Sequence, residues 1–184
     1  MNQMIKKLPL ALALLALAGC NASTDKTDSP VILTIVGSTT IVTPLSVSVS
    51  NAQSVGVATI GSMTLTTLVK EPNAVTSNLE TVEMESYLVT YTRTDRGTRL
   101  PPPLQENLFG TISPGGTFTL TGFPFMRAVQ LTSVPLSDLA TRGRDAETGT
   151  ASIPLIVNLR FFGHTLSGKA VASETKTFSV EMLP

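Results

Sequence analysis

From Val31 to the end of the chain, apolar and polar residues alternate with a period close to two, and turn-forming residues break the alternation at short intervals. The segment is dense in Val, Ile, Thr and Ser, and no window of useful length repeats at the helical period. It therefore reads as a β protein. Val31 to Val36 and Ile41 to Val42 form a first strand broken at Gly37-Ser38, by a bulge or by a switch between sheets. Leu45, Val47 and Val49 share one face of the next strand, so one side is buried and the other wet. Val55 to Val69 reads as a pair of short strands hinged near Gly61-Ser62, with Met63, Leu65, Thr67 and Val69 on one face. Glu71-Pro72-Asn73 closes that segment, because proline removes a backbone donor and favours a turn.

The central strand is Tyr87 to Arg93, whose aromatic face suits an interior while Leu88, Thr90 and Thr92 face the other way, and Asp95-Arg96-Gly97 turns after it. Pro101-Pro102-Pro103 predicts an extended crossing between strands. Phe109 to Ile112 and Thr117 to Thr121, joined by Ser113-Pro114-Gly115-Gly116, predict a hairpin. Pro135 to Ala140 is the one predicted helical turn, with Leu136 and Leu139 three apart, placed as a lid on an open end. Leu155, Val157, Leu159 and Phe161 share one parity, and Phe178, Val180 and Met182 form an equivalent face beyond the Ser167-Gly168-Lys169 turn, so these strands pair antiparallel. Seven to nine strands at such spacings make the segment from 31 to 184 resemble an immunoglobulin-like antiparallel β-sandwich. The disulfide and core tryptophan of antibody domains are absent from the sequence, so the resemblance is to the architecture.

The first thirty residues follow a different pattern. Lys6 and Lys7 precede an apolar run from Leu8 to Ala18, and small residues follow, the three parts of an export signal. That run is shorter than the roughly 20 residues a membrane span needs. Leu17-Ala18-Gly19-Cys20 resembles the bacterial lipobox, which implies removal of residues 1–19 and a diacylglycerol thioether on Cys20, usually with an added N-acyl chain. Several chains hold a protein to a membrane where one does not, since each buried methylene contributes about 0.8 kcal/mol. The resemblance implies a membrane partner through Cys20. Asn21, where Asp would retain a lipoprotein in the inner membrane, implies sorting to the outer membrane. Residues 20–30 read as a polar tether, with a typical span of about 17 Å and a limit near 35 Å.

Composition changes this picture little. Loss of Lys6 and Lys7 from 13 basic and 13 acidic side chains leaves a slightly acidic domain, with no electrostatic case for nucleic acid. With Cys20 acylated no thiol remains for a disulfide, and packing must supply stability.

Candidate chemistry is sparse. Gly163 to Ala170 is close to a phosphate-binding loop but lacks its final hydroxyl and the helix that should follow, so a hairpin turn is expected. His164 is the only histidine and no nucleophile elbow occurs; it reads as a solvated loop residue. Glu83 and Glu85, two apart, point to one face and read as a solvated strand end rather than a carboxylate pair in a cleft. Asp138, Asp145 and Glu147 offer oxygen ligands to calcium, but without the spacing of a known loop and with Arg142 and Arg144 opposing the cation. Arg93, Arg96 and Arg99 gather at one turn, expected to be solvated rather than an anion site. No metal, cofactor or catalytic set is expected. The sequence thus favours a lipid-anchored envelope module for assembly or adhesion, with an envelope protein as partner. A sandwich binding carbohydrate, peptide or lipid is the alternative, and an enzyme comes third. Two tyrosines and no tryptophan weaken the aromatic platform that sugars use.

Overall fold

The computed structural model describes residues 29–37, 45–71, 73 and 75–184. The expected export signal, Cys20, Ile41-Val42 and Pro72 lie outside the described residues. Among the described residues nine strands form two sheets packed as a sandwich. The smaller sheet orders β1 (Val31–Val36), β3 (Val57–Val69) and β6 (Thr117–Arg127). The larger orders β2 (Leu45–Ser48), β9 (Lys176–Leu183), β7 (Ile153–Thr165), β4 (Val82–Arg93) and β5 (Leu104–Ile112), with β8 (Ala170–Ala172) also on β7. Every pair between strands is antiparallel except β2 on β9. β1 and β2 lie in opposite sheets, and the expected break at Gly37-Ser38 before Ile41-Val42 lies largely outside the described residues.

Parity carries the core. On β7, Ile153, Leu155, Val157, Leu159 and Phe161 are buried; Val157, Leu159 and Phe161 face Tyr91, Val89 and Tyr87 of β4 on one side, and Ile153, Leu155 and Val157 face Met182, Val180 and Phe178 of β9 on the other. From the smaller sheet come Leu33, Ile35, Ile60, Met63, Leu65, Phe123 and Phe125. Tyr87, Phe123 and Phe161 meet across the sheets, with ring centroids 4.3 Å apart for the first pair and 5.6 Å for Phe123–Phe161. Tilted rings at such separations add to the energy of burial.

Three sequence expectations change. Val57–Val69 is one continuous strand rather than two, although its buried parity switches between Ile60 and Met63, across the expected hinge. Val49 leaves the strand face and starts a helix, α1 (Val49–Val55), because Ser48 caps it by accepting from Asn51 N and the chain reverses at Gly56. The hairpin expected across Ser113 to Gly116 does not form. β5 pairs β4 through Ile112–Val82, whereas β6 pairs β3 through Thr117–Thr66, so the turn passes from one sheet to the other. The tight turn itself is present, Gly116 N donating to Ser113 O, and it is fastened to β3 by the Thr66 and Thr67 hydroxyls, which donate to Gly116 O and Ser113 O.

Helices α2 (Ala128–Thr132) and α3 (Leu136–Arg142) join α1 at one end of the sandwich. Leu131, Leu136 and Leu139 are fully buried there, so Pro135 to Ala140 does form the expected helical lid. Gln53 of α1 donates to Leu131 O of α2 at 2.8 Å, and Gln130 of α2 donates to Pro103 O.

Candidate functional site

At the helical end, β4 finishes with Arg93 pointing inward, its side chain 2% exposed. The expectation of three solvated arginines fails for this residue, while Arg96 and Arg99 are exposed. Its guanidinium meets Asp95 through Nε at 2.7 Å and Nη2 at 2.6 Å, Asp145 Oδ2 at 2.9 Å and Glu147 Oε2 at 3.5 Å. The arrangement follows from solvation: a buried guanidinium is tolerated only when carboxylates and full hydrogen bonding replace water. Gly97 is required by the same packing, because a Cβ there would lie 2.0 Å from the guanidinium carbon. Burial alone would raise the Asp145 carboxyl, yet hydrogen bonds from Arg93 and Thr148 outweigh it and hold the group down at about 2.

The carboxylates that could offer oxygen ligands from this loop are engaged within the fold. Asp145 is bound to Arg93 and Thr148, Glu147 accepts from Thr98 N, Arg99 N and the Thr98 hydroxyl, and Asp138 sits apart on α3 facing Arg142. The cation at this place is a guanidinium. Among the described residues no three His, Cys, Asp or Glu are arranged to hold a metal ion.

A second polar cluster joins the sheets. Tyr87 of β4 donates to Glu106 of β5 at 2.9 Å and lies 3.1 Å from Pro124 O of β6, and Arg127 of β6 forks onto both Glu106 oxygens. Tyr91 donates to Phe125 O of β6 at 2.6 Å. Burial raises both phenols well above their usual range, and for Tyr87 the neighbouring Glu106 carboxylate adds to it. These are internal fasteners, and neither tyrosine offers a surface ring.

At the opposite end the sequence candidates Glu83, Glu85 and His164 come together at a solvated strand end, as expected for the two glutamates, while the expected loop position of His164 is corrected. His164 lies on β7, not in a loop, directly opposite Glu83 of β4. A register shift between Met84 and Ser86 inserts Glu85 as an extra residue, so both glutamates close on one imidazole. Nε2 is 3.1 Å from Glu83 Oε2 and Nδ1 is 2.9 Å from Glu85 Oε1. Nδ1 has no hydrogen-bond partner, so its approach to Glu85 is a close contact without hydrogen-bond geometry. Gly163 opposite the bulge allows this, because a Cβ there would meet Glu83 O at 2.3 Å. Asn107, Phe109, Gly110 and Thr111 of β5 complete an open groove of about 460 Å³. Phe109 is 85% exposed and was not singled out by sequence reasoning, although its parity opposite to Leu104, Leu108 and Ile112 carries the signal.

The loop from Gly163 to Ala170 is a strand end, a turn and β8, as expected for a hairpin. Its amides are bound internally: Leu166 N to Thr81 O, Ser167 N to Leu79 O, Gly168 N to Thr165 O and Lys169 N to the Thr165 hydroxyl. No amide cradle is left there for phosphate. Among the described residues no helix is long and apolar enough to cross a membrane. Comparison with family models, curated proteins and solved structures found no match.

Proposed function

We propose that this chain is a lipid-anchored lipoprotein of the cell envelope, at the outer membrane, whose sandwich acts as a structural or interaction module in assembly or adhesion. The anchoring part rests on Leu17-Ala18-Gly19-Cys20 and the polar tether behind it. The interaction part rests on one observation: the buried ionisable groups serve internal pairing, while the large aromatic Phe109 stands 85% exposed beside an acidic groove at the end of a sheet. An aromatic ring left in water next to a groove is a surface suited to a partner.

The second reading, a module for a small ligand, draws on the same groove. With Tyr87 and Tyr91 buried, Phe109 is the ring available there for stacking on a sugar, so a peptide fits better than a glycan. Catalysis ranks third, because both His164 nitrogens lie against glutamates rather than against a hydroxyl or thiol that they could activate. Mild crosslinking on intact membranes followed by affinity recovery tests the proposal. Co-recovery of a defined envelope protein is expected, and recovery of the chain alone from the soluble fraction would contradict it.

A further inference from the structure

Among the described residues five strands lie at sheet margins: β1 and β6 in the smaller sheet, and β2, β5 and the three-residue β8 in the larger. A marginal strand presents unpaired backbone donors and acceptors, and folds protect such margins with shortness, proline, charge, bulges or cover. β2 is only four residues long. β1 has its far side bridged from Leu33 to Ser173. β6 carries Pro124 within an irregular register opposite Ala58 and Thr59. β5 is different. It runs nine residues without Pro, Lys or Arg, and its one charged residue, Glu106, is engaged by Arg127 and Tyr87.

The face beside that margin has a chemical character. Gln105, Asn107, Phe109 and Thr111 of β5 are exposed, and one strand inward stand Glu83 and Glu85, their side chains 44% and 58% exposed. Among the described residues neither Lys nor Arg lines the groove. Neighbouring strands are about 4.8 Å apart, so a strand laid along β5 would lie two spacings from the glutamates, within reach of a long side chain crossing beside Phe109. An aromatic face leading to two carboxylates is complementary to a cation.

We infer that the free margin of β5 accepts an extended segment of a partner protein as an added strand, with a Lys or Arg of that segment lying over Phe109 and pairing with Glu83 and Glu85. Main-chain pairing supplies affinity and the cation site supplies selectivity. The inference rests on the interaction-module reading and gives the partner its chemistry.

The test uses the full chain in detergent and two fluorescent nine-residue peptides of equal strand propensity, one alternating valine with lysine and one alternating valine with glutamate. The lysine peptide is expected to bind at least tenfold more tightly than the glutamate peptide, and to slow amide exchange in residues 104–112. The double variant Glu83→Gln, Glu85→Gln and the single variant Phe109→Ala should each weaken it about tenfold with an unchanged melting temperature. Since loss of Lys6 and Lys7 leaves 11 basic against 13 acidic side chains, the comparison is made at fixed ionic strength, and the loss in the Glu83→Gln, Glu85→Gln variant separates the site from general attraction. Equal binding of both peptides, no loss in the variants, protection of another strand, or a sedimenting dimer protected over 104–112 without peptide would overturn the inference. If membrane crosslinking still captures an envelope protein with the double variant, only the β5 assignment fails; if nothing is captured by the wild type, the module reading itself fails.

Discussion

The hydroxyl of Tyr91, on β4 of the larger sheet, donates a 2.6 Å hydrogen bond to the carbonyl of Phe125, on β6 of the smaller sheet. It fastens the two layers from inside the core, where an unpaired carbonyl would be left without water. Tyr91→Phe is therefore expected to lower stability by about 1–3 kcal/mol, read as a shift in denaturant midpoint without change in the slope.

Arg93 is the polar pivot of the helical end. Arg93→Met retains much of the volume but leaves Asp145, whose side chain is 0% exposed, without its cation. Breaking a buried pair in this way costs about 3–5 kcal/mol, whereas Arg96→Ala at the exposed tip should stay within about 0.5 kcal/mol. Thermal unfolding of the two variants side by side checks the contrast.

Acid should find the same cluster. The Asp145 carboxyl is held down at about 2, below the roughly 3.9 of an unfolded chain, so its stabilising contribution is complete above pH 4 and lost as pH falls towards 2. It amounts to about 2–3 kcal/mol. Asp95 and Glu106, lowered chiefly by hydrogen bonds from Arg93 and Arg127, act in the same direction. Asp145→Asn should flatten the fall in stability between pH 4 and pH 2, measured by urea unfolding at fixed ionic strength.

Leu159 is fully buried and Arg160, its neighbour on β7, faces out with its guanidinium 5.4 Å from the Phe162 ring. Leu159→Ala should destabilise by about 2–5 kcal/mol, and Arg160→Ala by no more than about 1 kcal/mol. The reverse order would place the strand register off by one.

Period-two alternation made β4, β7 and β9 legible, because each buries one face and a shift by one residue would expose the whole set. Pro135 with Leu136 and Leu139 likewise marked the lid. The partition of β5 and β6 into different sheets was not legible, since Ser113 to Gly116 makes the same local turn whichever strands its flanks later join. Helix α1 escaped because seven residues are too few to display a period, although Ser48 and Gly56 frame it. Arg93 looked solvated because Asp145 and Glu147 lie 52 and 54 residues away along the chain. The pairing of His164 with Glu83 and Glu85 depends on long-range register and on a bulge that sequence spacing does not reveal.

The central claim is attachment through Cys20, and labelling cells with an alkyne fatty acid tests it most directly. The wild-type chain should take up label and sediment with membranes, while Cys20→Ser should be unlabelled and soluble. Equal label on both proteins, or unlabelled wild type in the soluble fraction, would contradict it.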